Sequence, residues 1–328
     1  MIGIIKGTGA CLPEKEVDNN ELARIMDTSD EWIRERTGII RRHLISGETT
    51  VSMSARAAER ALENAGVAAE DIDMILVSTV SSNVVLPSTA CAVQELIGAS
   101  RAVCFDLNAA CTGFLFALNT AQAYFHAGVV GKVLIIGAES LSNLVNWADR
   151  GTAILFGDGA GAAVLVAGEG EFPQLVMQSN GTKGDVLTCS SPFDRGKDSP
   201  VKADMAASQG ETYIQMNGQE VFKFAVRQVP KCIEELLEKC DKRPEDIDLF
   251  VLHQANARIM EGIAKRLKTD ISKFPMNLME YGNTSSASIP ILLDELHRSG
   301  RLKKGMKLVL AGFGAGLSWG ATYMEWDA

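Results

Sequence analysis

The stretch DLNAACTGFLFAL, residues 106–118, holds a cysteine, Cys111, where a loop gives way to an apolar helical pattern. A helix N-terminus carries unpaired backbone N–H groups and the positive end of the helix dipole, which favour a thiolate over a thiol. Cysteine is also one of the most often buried residues, so simple packing is the alternative. The position predicts a nucleophilic thiol.

Two polar side chains in the second half of the chain are candidates to work with that thiol. His253, in VLHQANARI, directly follows an apolar strand pattern, and α/β proteins place functional groups at such strand ends. Asn283 stands in EYGNTSSAS. Taken alone, His253 could be a core histidine, and Asn283 could be a turn or cap residue.

The sequence contains an internal repeat, which indicates how these residues are positioned. EDIDMILVSTV from Glu70 resembles EDIDLFVLHQA from Glu245, and KVLIIGAES from Lys132 resembles KLVLAGFGA from Lys307. Both pairs have the same sequence separation, which we term the repeat offset. The nearly continuous apolar runs are typical of strands covered by helices on both faces. We therefore expect two α/β halves, residues 1–170 with the cysteine and 171–328 with the histidine and asparagine, packed as one pseudo-symmetric unit.

Composition excludes several classes of protein and site. The 328 residues are 46% hydrophobic and 22% charged, with a net charge of −9, which disfavours general nucleic-acid binding. Seven cysteines without a C-x-x-C pair argue against a disulfide framework and a zinc or other metal site. The glycine stretches lead into strand patterns, which disfavours a dinucleotide site. The start of the chain shows no leader and no segment long enough to span a membrane, so a cytoplasmic protein without membrane contact is expected.

Several motifs, in this order, carry a family resemblance. NAACTGF, HQAN, YGNTSSASIP and GFGAGLSWG, with DEWIRERTGI, DRGTAILFGDGAGAAVL and NGQEVFKFAV, resemble β-ketoacyl-acyl carrier protein synthase III of the thiolase superfamily. The resemblance covers nearly the whole chain and implies a five-layered αβαβα fold of two duplicated halves with pseudo-twofold symmetry, and a homodimer. Thiolases use a second, late cysteine, whereas the last one here is Cys240. Elongating ketosynthases use two histidines with their cysteine.

The resemblance implies a decarboxylative condensation that initiates fatty-acid synthesis. Cys111 would take the acyl group of an acyl-CoA as an enzyme thioester, because a thiol is both nucleophile and leaving group. Malonyl-acyl carrier protein would then lose CO2, and Nε2–H of His253 and Nδ2–H of Asn283 would stabilise the enolate oxygen. The backbone N–H groups of Cys111 and Ala315 would form the oxyanion hole. No cofactor is implied beyond the two substrates.

The same resemblance assigns three binding regions. In the CoA site, Trp32 and Arg150 would enclose the adenine. The alternative for Trp32 is that it only packs its helix. The alternative for the basic residues that follow His253 is an ordinary solvent-exposed helix face. The acyl-chain preference stays open. The implied residues are Thr28, Trp32, Arg36, Arg150, Gly218, Phe222 and Asn256 for CoA and pantetheine; Lys223, Arg258, Lys265 and Arg266 for acyl carrier protein; and Leu86 and Phe156 for the acyl pocket, with Leu86 reaching the partner subunit.

Two other functions are kept as hypotheses. One is an enzyme of secondary metabolism with the same fold that transfers acyl groups to another nucleophile. The other is a catalytically silent scaffold, against which the intact Cys111, His253 and Asn283 argue. The polar segment 181–211 is expected to be a covering loop.

Overall fold

The computed structural model describes residues 1–190 and 212–328. The strands are β1 Ile2–Cys11, β2 Lys15–Asp18, β3 Arg41–Leu44, β4 Met74–Ser78, β5 Val103–Leu107, β6 Lys132–Glu139, β7 Gly159–Gly168, β8 Leu175–Ser179, β9 Leu187–Thr188, β10 Gln215–Met216, β11 Leu249–Leu252, β12 Lys307–Gly314 and β13 Ser318–Glu325. The α-helices are α1 Asn19–Leu22, α2 Asp30–Thr37, α3 Thr50–Ala65, α4 Thr89–Ile97, α5 Gly113–His126, α6 Arg150–Ala153, α7 Gly218–Lys239, α8 Ala257–Arg266, α9 Leu278–Tyr281 and α10 Ser288–Arg298.

Two sheets repeat one strand order. The first runs β1-β7-β6-β4-β5, and the second runs β8-β13-β12-β11. In each, the strands that end near the site are parallel: β4 pairs with β5 and β6, and β11 pairs with β12. The starts of β4 and β11 are separated by the repeat offset, as are those of β6 and β12. The internal repeat in the sequence is therefore a repeat of the fold.

Within the described residues, the second sheet has no counterpart of β5. The short helix α9 begins one repeat offset after the start of β5 and takes its place. This helix ends at Gly282, whose φ of 66° is a left-handed conformation that favours glycine. The chain therefore turns at this point toward Asn283.

The two sheets and their helices form five layers. Helices α5 and α10 lie between the sheets in one apolar core that includes Leu118 and Leu293. Helices α3 and α4 cover the outer face of the first sheet, and α7 and α8 cover that of the second. Strands buried on both faces explain why their sequences are almost continuously apolar.

The two central helices begin in the same unusual way. A 3₁₀ turn, Ala110–Thr112, precedes α5, and its twin Ser285–Ala287 precedes α10. Each turn starts with a non-glycine residue in the left-handed region, Ala110 at φ 46° and Ser285 at φ 48°. Such a conformation costs free energy and is held only by tight surroundings. The turn that carries Cys111 is therefore a duplicated structural feature.

The structure bears on two other expectations from sequence. In the described residues, no helix has the length and apolarity needed to cross a bilayer. Of the segment expected to be a covering loop, residues 181–190 form the 3₁₀ stretch Gly181–Val186 followed by β9, and residues 191–211 lie outside the described part of the chain.

Close contact between the halves predicts a stability effect at Gly137. A Cβ added there would overlap the carbonyl oxygen of Ser286, which is backbone of the opposite half. Gly137→Ala should lower the free energy of unfolding by about 1–3 kcal/mol or more, the cost of overpacking a dense interior. Denaturant titration at matched protein concentration measures it.

Gly181→Ala is the matched control, because no atom of the described residues lies within 4 Å of a Cβ at that position. It should change the free energy of unfolding by less than about 0.5 kcal/mol. Equal stability of the two variants would show that the halves are not in the close contact described.

Candidate active site

The nucleophile candidate lies at the junction of the two halves. Cys111 is in the 3₁₀ turn between β5 and α5, and the end of β12 passes directly beside it. A Cβ added to Gly314 would lie 2.8 Å from Cβ and 3.2 Å from Sγ of Cys111. Thr112 fixes the turn, since its Oγ1 lies 2.6 Å from the carbonyl oxygen of Ala109 and 2.9 Å from Oγ of Ser318. Only glycine at 314 allows this approach of backbone to sulfur.

The protonation state of Cys111 differs from the expectation based on the helix start. Burial raises the pKa of its thiol to about 12, although a hydrogen bond with the Ser285 hydroxyl and the backbone N–H of Cys111 act in the opposite direction. Burial disfavours the charged thiolate more than these donors favour it. Burial therefore favours the thiol at Cys111 and outweighs the effect of the helix start, which acts toward the thiolate.

The imidazole candidate is also buried and neutral. His253 follows β11, has an exposed fraction of 1%, and meets the ring of Phe313 edge-on at a centroid distance of 5.2 Å. Burial lowers the pKa of His253 to about 3. Its Nδ1 lies 2.8 Å from Oγ of Ser288. At neutral pH the ring can therefore act as a hydrogen-bond donor, but it is not a cation.

The orientation of the Asn283 amide is determined by its backbone neighbours. Its Oδ1 accepts a hydrogen bond of 2.8 Å from the N–H of Ser285. Its backbone N–H donates to the carbonyl of Leu155, and its own carbonyl accepts from Gly157. Because Oδ1 is occupied, Nδ2 is the amide atom left to donate to a substrate.

One cavity of about 1210 Å³ contains all three catalytic candidates. The sequence-predicted residues that also line it are Trp32, Arg36, Phe156, Gly218, Phe222, Lys223, Asn256 and Arg258. Thr28, Leu86, Arg150, Lys265, Arg266 and Ala315 are not among its lining residues. The structure thus brings most of the predicted CoA residues to the same space as the thiol.

At the outer end of the cavity, two guanidinium groups stack on the ring of Trp32, the residue predicted to contact adenine. Cζ of Arg36 lies 4.6 Å and Cζ of Arg150 lies 5.2 Å from the ring centroid of Trp32. Arg150 is held by Asp27, with Nη1 at 2.9 Å from its carbonyl oxygen and 3.3 Å from Oδ2. A base inserted between two planes needs about 7 Å, twice an optimal contact distance. Arg150 must therefore move outward before adenine can enter.

Two other predicted CoA residues have contrasting environments. Oγ1 of Thr28 is buried and has no hydrogen-bond partner in the described part of the chain. Asn256 is engaged at both ends, because Nδ2 donates to the carbonyl of Arg36 at 3.0 Å and Oδ1 accepts from the N–H of Arg258 at 2.9 Å. Asn256 is thus the N-cap of α8 as well as a lining residue.

The basic residues predicted to dock a carrier protein lie on the exposed side of α8 and the start of α7. Helix α8 buries Ile259, Met260, Ile263 and Ala264, and its cations Arg258, Lys265 and Arg266 are exposed. None of these three makes an ion pair with the described residues. Lys223 pairs with Glu220 at 2.8 Å. Arg258 and Lys223 also line the cavity, so the basic face is continuous with its opening.

Sequence reasoning missed a buried carboxyl, that of Glu139, beside the residue that mirrors the nucleophile. Ser286 stands one repeat offset after Cys111, and its Oγ lies 2.9 Å from Oε1 of Glu139 and 3.0 Å from the carbonyl of Ser78. Burial raises the pKa of Glu139. Glu139 in turn mirrors Gly314 at the same offset. The carboxyl of Glu139 fills the space beside Ser286, whereas Gly314 leaves the corresponding space beside Cys111 open. The repeat offset could have identified Glu139 from the sequence, because it relates Glu139 to Gly314.

The side chains that could bind a metal ion do not cluster in the described part of the chain. Residues 1–190 and 212–328 contain no group of three or more histidine, cysteine, aspartate or glutamate side chains arranged to hold an ion.

Comparison with known proteins identifies the family. The N-terminal pattern of 3-oxoacyl-[acyl-carrier-protein] synthase III matches residues 105–184, and its C-terminal pattern matches residues 237–326. The β-ketoacyl-[acyl-carrier-protein] synthase III of Clostridium acetobutylicum is 47% identical over 328 residues, covering 98% of each chain. That of Clostridium novyi is 46% identical over 327 residues, again covering 98% of each.

Solved structures agree over the same length. The 3-oxoacyl-[acyl-carrier-protein] synthase III of Aquifex aeolicus superposes with a TM-score of 0.90 at 39% identity, covering 99% of this chain and 100% of that one. The enzyme from Thermus thermophilus gives 0.91 at 40% identity, covering 99% of each. The fold is therefore thiolase-like, and the chain belongs to the β-ketoacyl-[acyl-carrier-protein] synthase III family, the acyltransferase-type condensing enzymes that initiate fatty-acid synthesis.

Proposed function

We propose that this chain condenses an acyl-CoA primer with malonyl-acyl carrier protein through a thioester on Cys111. The observation that carries the proposal is the convergence of Cys111, His253 and Asn283 on one cavity with their polar atoms oriented. The family membership supports the reaction class, and the geometry supports the role of each side chain.

In the first half-reaction, Sγ of Cys111 attacks the carbonyl carbon of the acyl-CoA thioester. A bond forms between Sγ and the acyl carbon, the bond to the CoA sulfur breaks, and the proton of the thiol leaves with CoA. The tetrahedral oxyanion is held by the backbone N–H groups of Cys111 and Ala315. The approach of Gly314 to Sγ supports this assignment, because it places the adjoining backbone beside the reacting carbon.

In the second half-reaction, the bond between the malonyl carboxylate and Cα breaks, CO2 leaves, and the electron pair passes into an enolate. Nδ2–H of Asn283 and Nε2–H of His253 donate to the enolate oxygen. The carbanion then attacks the acyl carbon, and the Cys111 thiolate leaves and regains a proton. A neutral imidazole suits this role, because the need is for a donor and not for a base.

The two substrates share the cavity but differ at its opening. An acyl-CoA would place its adenine on Trp32 once Arg150 moves, with Thr28 and Arg36 beside it. An acyl carrier protein is acidic and would dock on Lys223, Arg258, Lys265 and Arg266. Attraction between opposite charges steers such encounters and is screened by salt. The reaction needs no cofactor, because both thioesters carry their own activation.

A homodimer is proposed on the exposed apolar side chains of the first half. Val84, Val85 and Leu86 have exposed fractions of 46%, 67% and 85%, and Val103 on the edge strand β5 has 60%. Edge strands and apolar patches of this kind are usually covered in the native assembly. Leu86 would then enter the partner's acyl pocket next to Phe156. The seven unpaired cysteines favour a reducing compartment, the cytoplasm.

A second function is favoured by one structural neighbour. The priming β-ketosynthase of a polyketide biosynthetic pathway superposes with a TM-score of 0.92 at 36% identity, covering 99% of this chain and 96% of that one. The same site could therefore prime a secondary pathway. Product mass from assorted acyl-CoAs, with fatty-acid or polyketide carrier proteins, separates the two.

The thioester on Cys111 is tested by intact-protein mass spectrometry after incubation with acyl-CoA. The native enzyme should gain one acyl group, and Cys111→Ala should gain none and should not condense. Cys189→Ala is the control and should acylate normally, because Cys189 is exposed and does not line the cavity. An adduct that persists in Cys111→Ala would overturn the assignment.

The roles of the two donors are tested by separating the half-reactions. His253→Ala and Asn283→Ala should each slow malonyl decarboxylation by about 10²–10³-fold, or about 2.7–4 kcal/mol, the scale of one lost oxyanion donor. Acylation of Cys111 should change much less. The rates of CO2 release and of adduct formation measure the two steps, and equal damage to both would mean that these side chains mainly position the thiol.

The basic face is tested by charge reversal. Arg258→Glu and Lys265→Glu should raise the apparent KM for malonyl-acyl carrier protein and weaken its dependence on salt, while acylation by acyl-CoA stays near the native rate. Lys303→Glu is the matched control, because Lys303 precedes β12 at the opposite end of the sheet from His253. Unchanged carrier-protein kinetics in both reversals would place the docking surface elsewhere.

A further inference from the structure

The proton on the His253 ring has two possible positions, and the function proposed above needs one of them. Burial holds the pKa of the ring at about 3, so the imidazole is neutral and only one nitrogen carries a proton. Donation from Nε2 to an enolate oxygen requires that Nδ1 be unprotonated. A buried, unprotonated Nδ1 needs a hydrogen-bond donor of its own, because an unpaired buried acceptor is costly.

The hydroxyl of Ser288 lies within hydrogen-bond distance of Nδ1, and the backbone of Ser285 also acts on the ring and raises its pKa. Oγ of Ser288 lies 2.8 Å from Nδ1, and the residue is 2% exposed. The backbone N–H of Gln254 donates to the same oxygen at 3.3 Å. This N–H occupies one side of the oxygen, so the single hydroxyl proton has two acceptors within reach: Nδ1, and the carbonyl of Ser285 at 2.8 Å.

The Ser285 carbonyl does not depend on that hydroxyl. It also accepts from the backbone N–H of Ser288, at the end of the 3₁₀ turn. Turning the hydroxyl toward Nδ1 therefore leaves no buried carbonyl unpaired. The opposite arrangement, with the hydroxyl on Ser285, would force the ring proton onto Nδ1 and would expose a bare Nε2 to the cavity.

We propose that Ser288 is a positioning residue that donates its hydroxyl proton to Nδ1 of His253 and so fixes the Nε2–H tautomer that malonyl decarboxylation uses. The inference rests on the proposed function of His253. Ser288 itself is not among the residues that line the cavity, so it would act through His253 and not on the substrate.

The internal repeat supports a role specific to this half. His253 and Ser288 stand one repeat offset after Ser78 and Gly113. In the first half the pair cannot exist, because a Cβ added to Gly113 would overlap Oγ of Ser78. The serine hydroxyl is therefore present only in the copy that also has the imidazole.

The tautomer is measured directly by ¹⁵N chemical shifts of the histidine rings in ¹⁵N-histidine-labelled enzyme without substrate. The chain has four histidines, and His253→Asn assigns the signals of interest. In the native enzyme, Nε2 of His253 should have the shift of a protonated nitrogen and Nδ1 that of an unprotonated one. A protonated Nδ1 in the native enzyme overturns the proposal whatever any variant does.

Ser288→Ala should reverse the tautomer, because Nδ1 loses its donor and the Ser285 carbonyl remains to accept a proton from it. The matched control is Ser286→Ala, which removes a buried hydroxyl two residues away that faces Glu139 and should keep the native tautomer. An unchanged tautomer in Ser288→Ala, or the same reversal in Ser286→Ala, would contradict the proposal.

The kinetic consequence separates this proposal from the one it rests on. In Ser288→Ala, CO2 release from malonyl-acyl carrier protein should fall by about a hundredfold, and acylation of Cys111 should change by less than about threefold. Normal acylation also shows that the variant is folded. Equal losses in both steps overturn the role of Ser288, whereas a native enzyme that neither acylates nor condenses overturns the proposed function and leaves the tautomer measurement valid.

Discussion

Burial of the thiol and the imidazole at the junction of the two halves is the constraint on which the rest of the site depends. It raises the pKa of Cys111 to about 12 and lowers that of His253 to about 3, so both groups are neutral at rest. In the proposed reaction, charge appears only on the two oxyanions and on the departing sulfur. Fixed donors in a water-poor site stabilise such charge strongly. The positions of a few hydrogens therefore matter more here than fixed ionic charges.

Those positions depend on how closely the halves approach one another. Glycine at 314 lets the end of β12 reach Sγ of Cys111, and glycine at 137 lets β6 reach the backbone of Ser286. In the repeat, Gly314 beside Cys111 corresponds to Glu139 beside Ser286, and these two places differ in chemistry. Beside Ser286 the space holds the carboxyl of Glu139, and beside Cys111 it is open to substrate. One fold thus contains an open candidate site beside Cys111 and a filled counterpart beside Ser286.

The sequence was sufficient for the architecture and for three side chains that the structure places in one cavity. The repeat offset predicted the repeated strand order, and the residues around Cys111, His253 and Asn283 predicted one shared site. The protonation state of the thiol could not be predicted, because burial comes from the opposite half and outweighs the local helix start. The family resemblance placed Trp32 and Arg150 on either side of the adenine, but it did not predict that Arg150 stacks directly on Trp32. Ser288 belongs to the YGNTSSASIP motif, but its role could not be predicted, because that role depends on the distances from its hydroxyl to Nδ1 of His253 and to two backbone groups.

The neutral resting pair is tested most directly by the rate of Cys111 alkylation as a function of pH, with Cys111→Ala subtracted to remove the other cysteines. A thiol with a raised pKa should alkylate faster as pH rises, without a plateau below about pH 9, since the thiolate is the reactive form. A plateau reached below about pH 7 would reveal a preformed thiolate beside a protonated imidazole and would contradict the account.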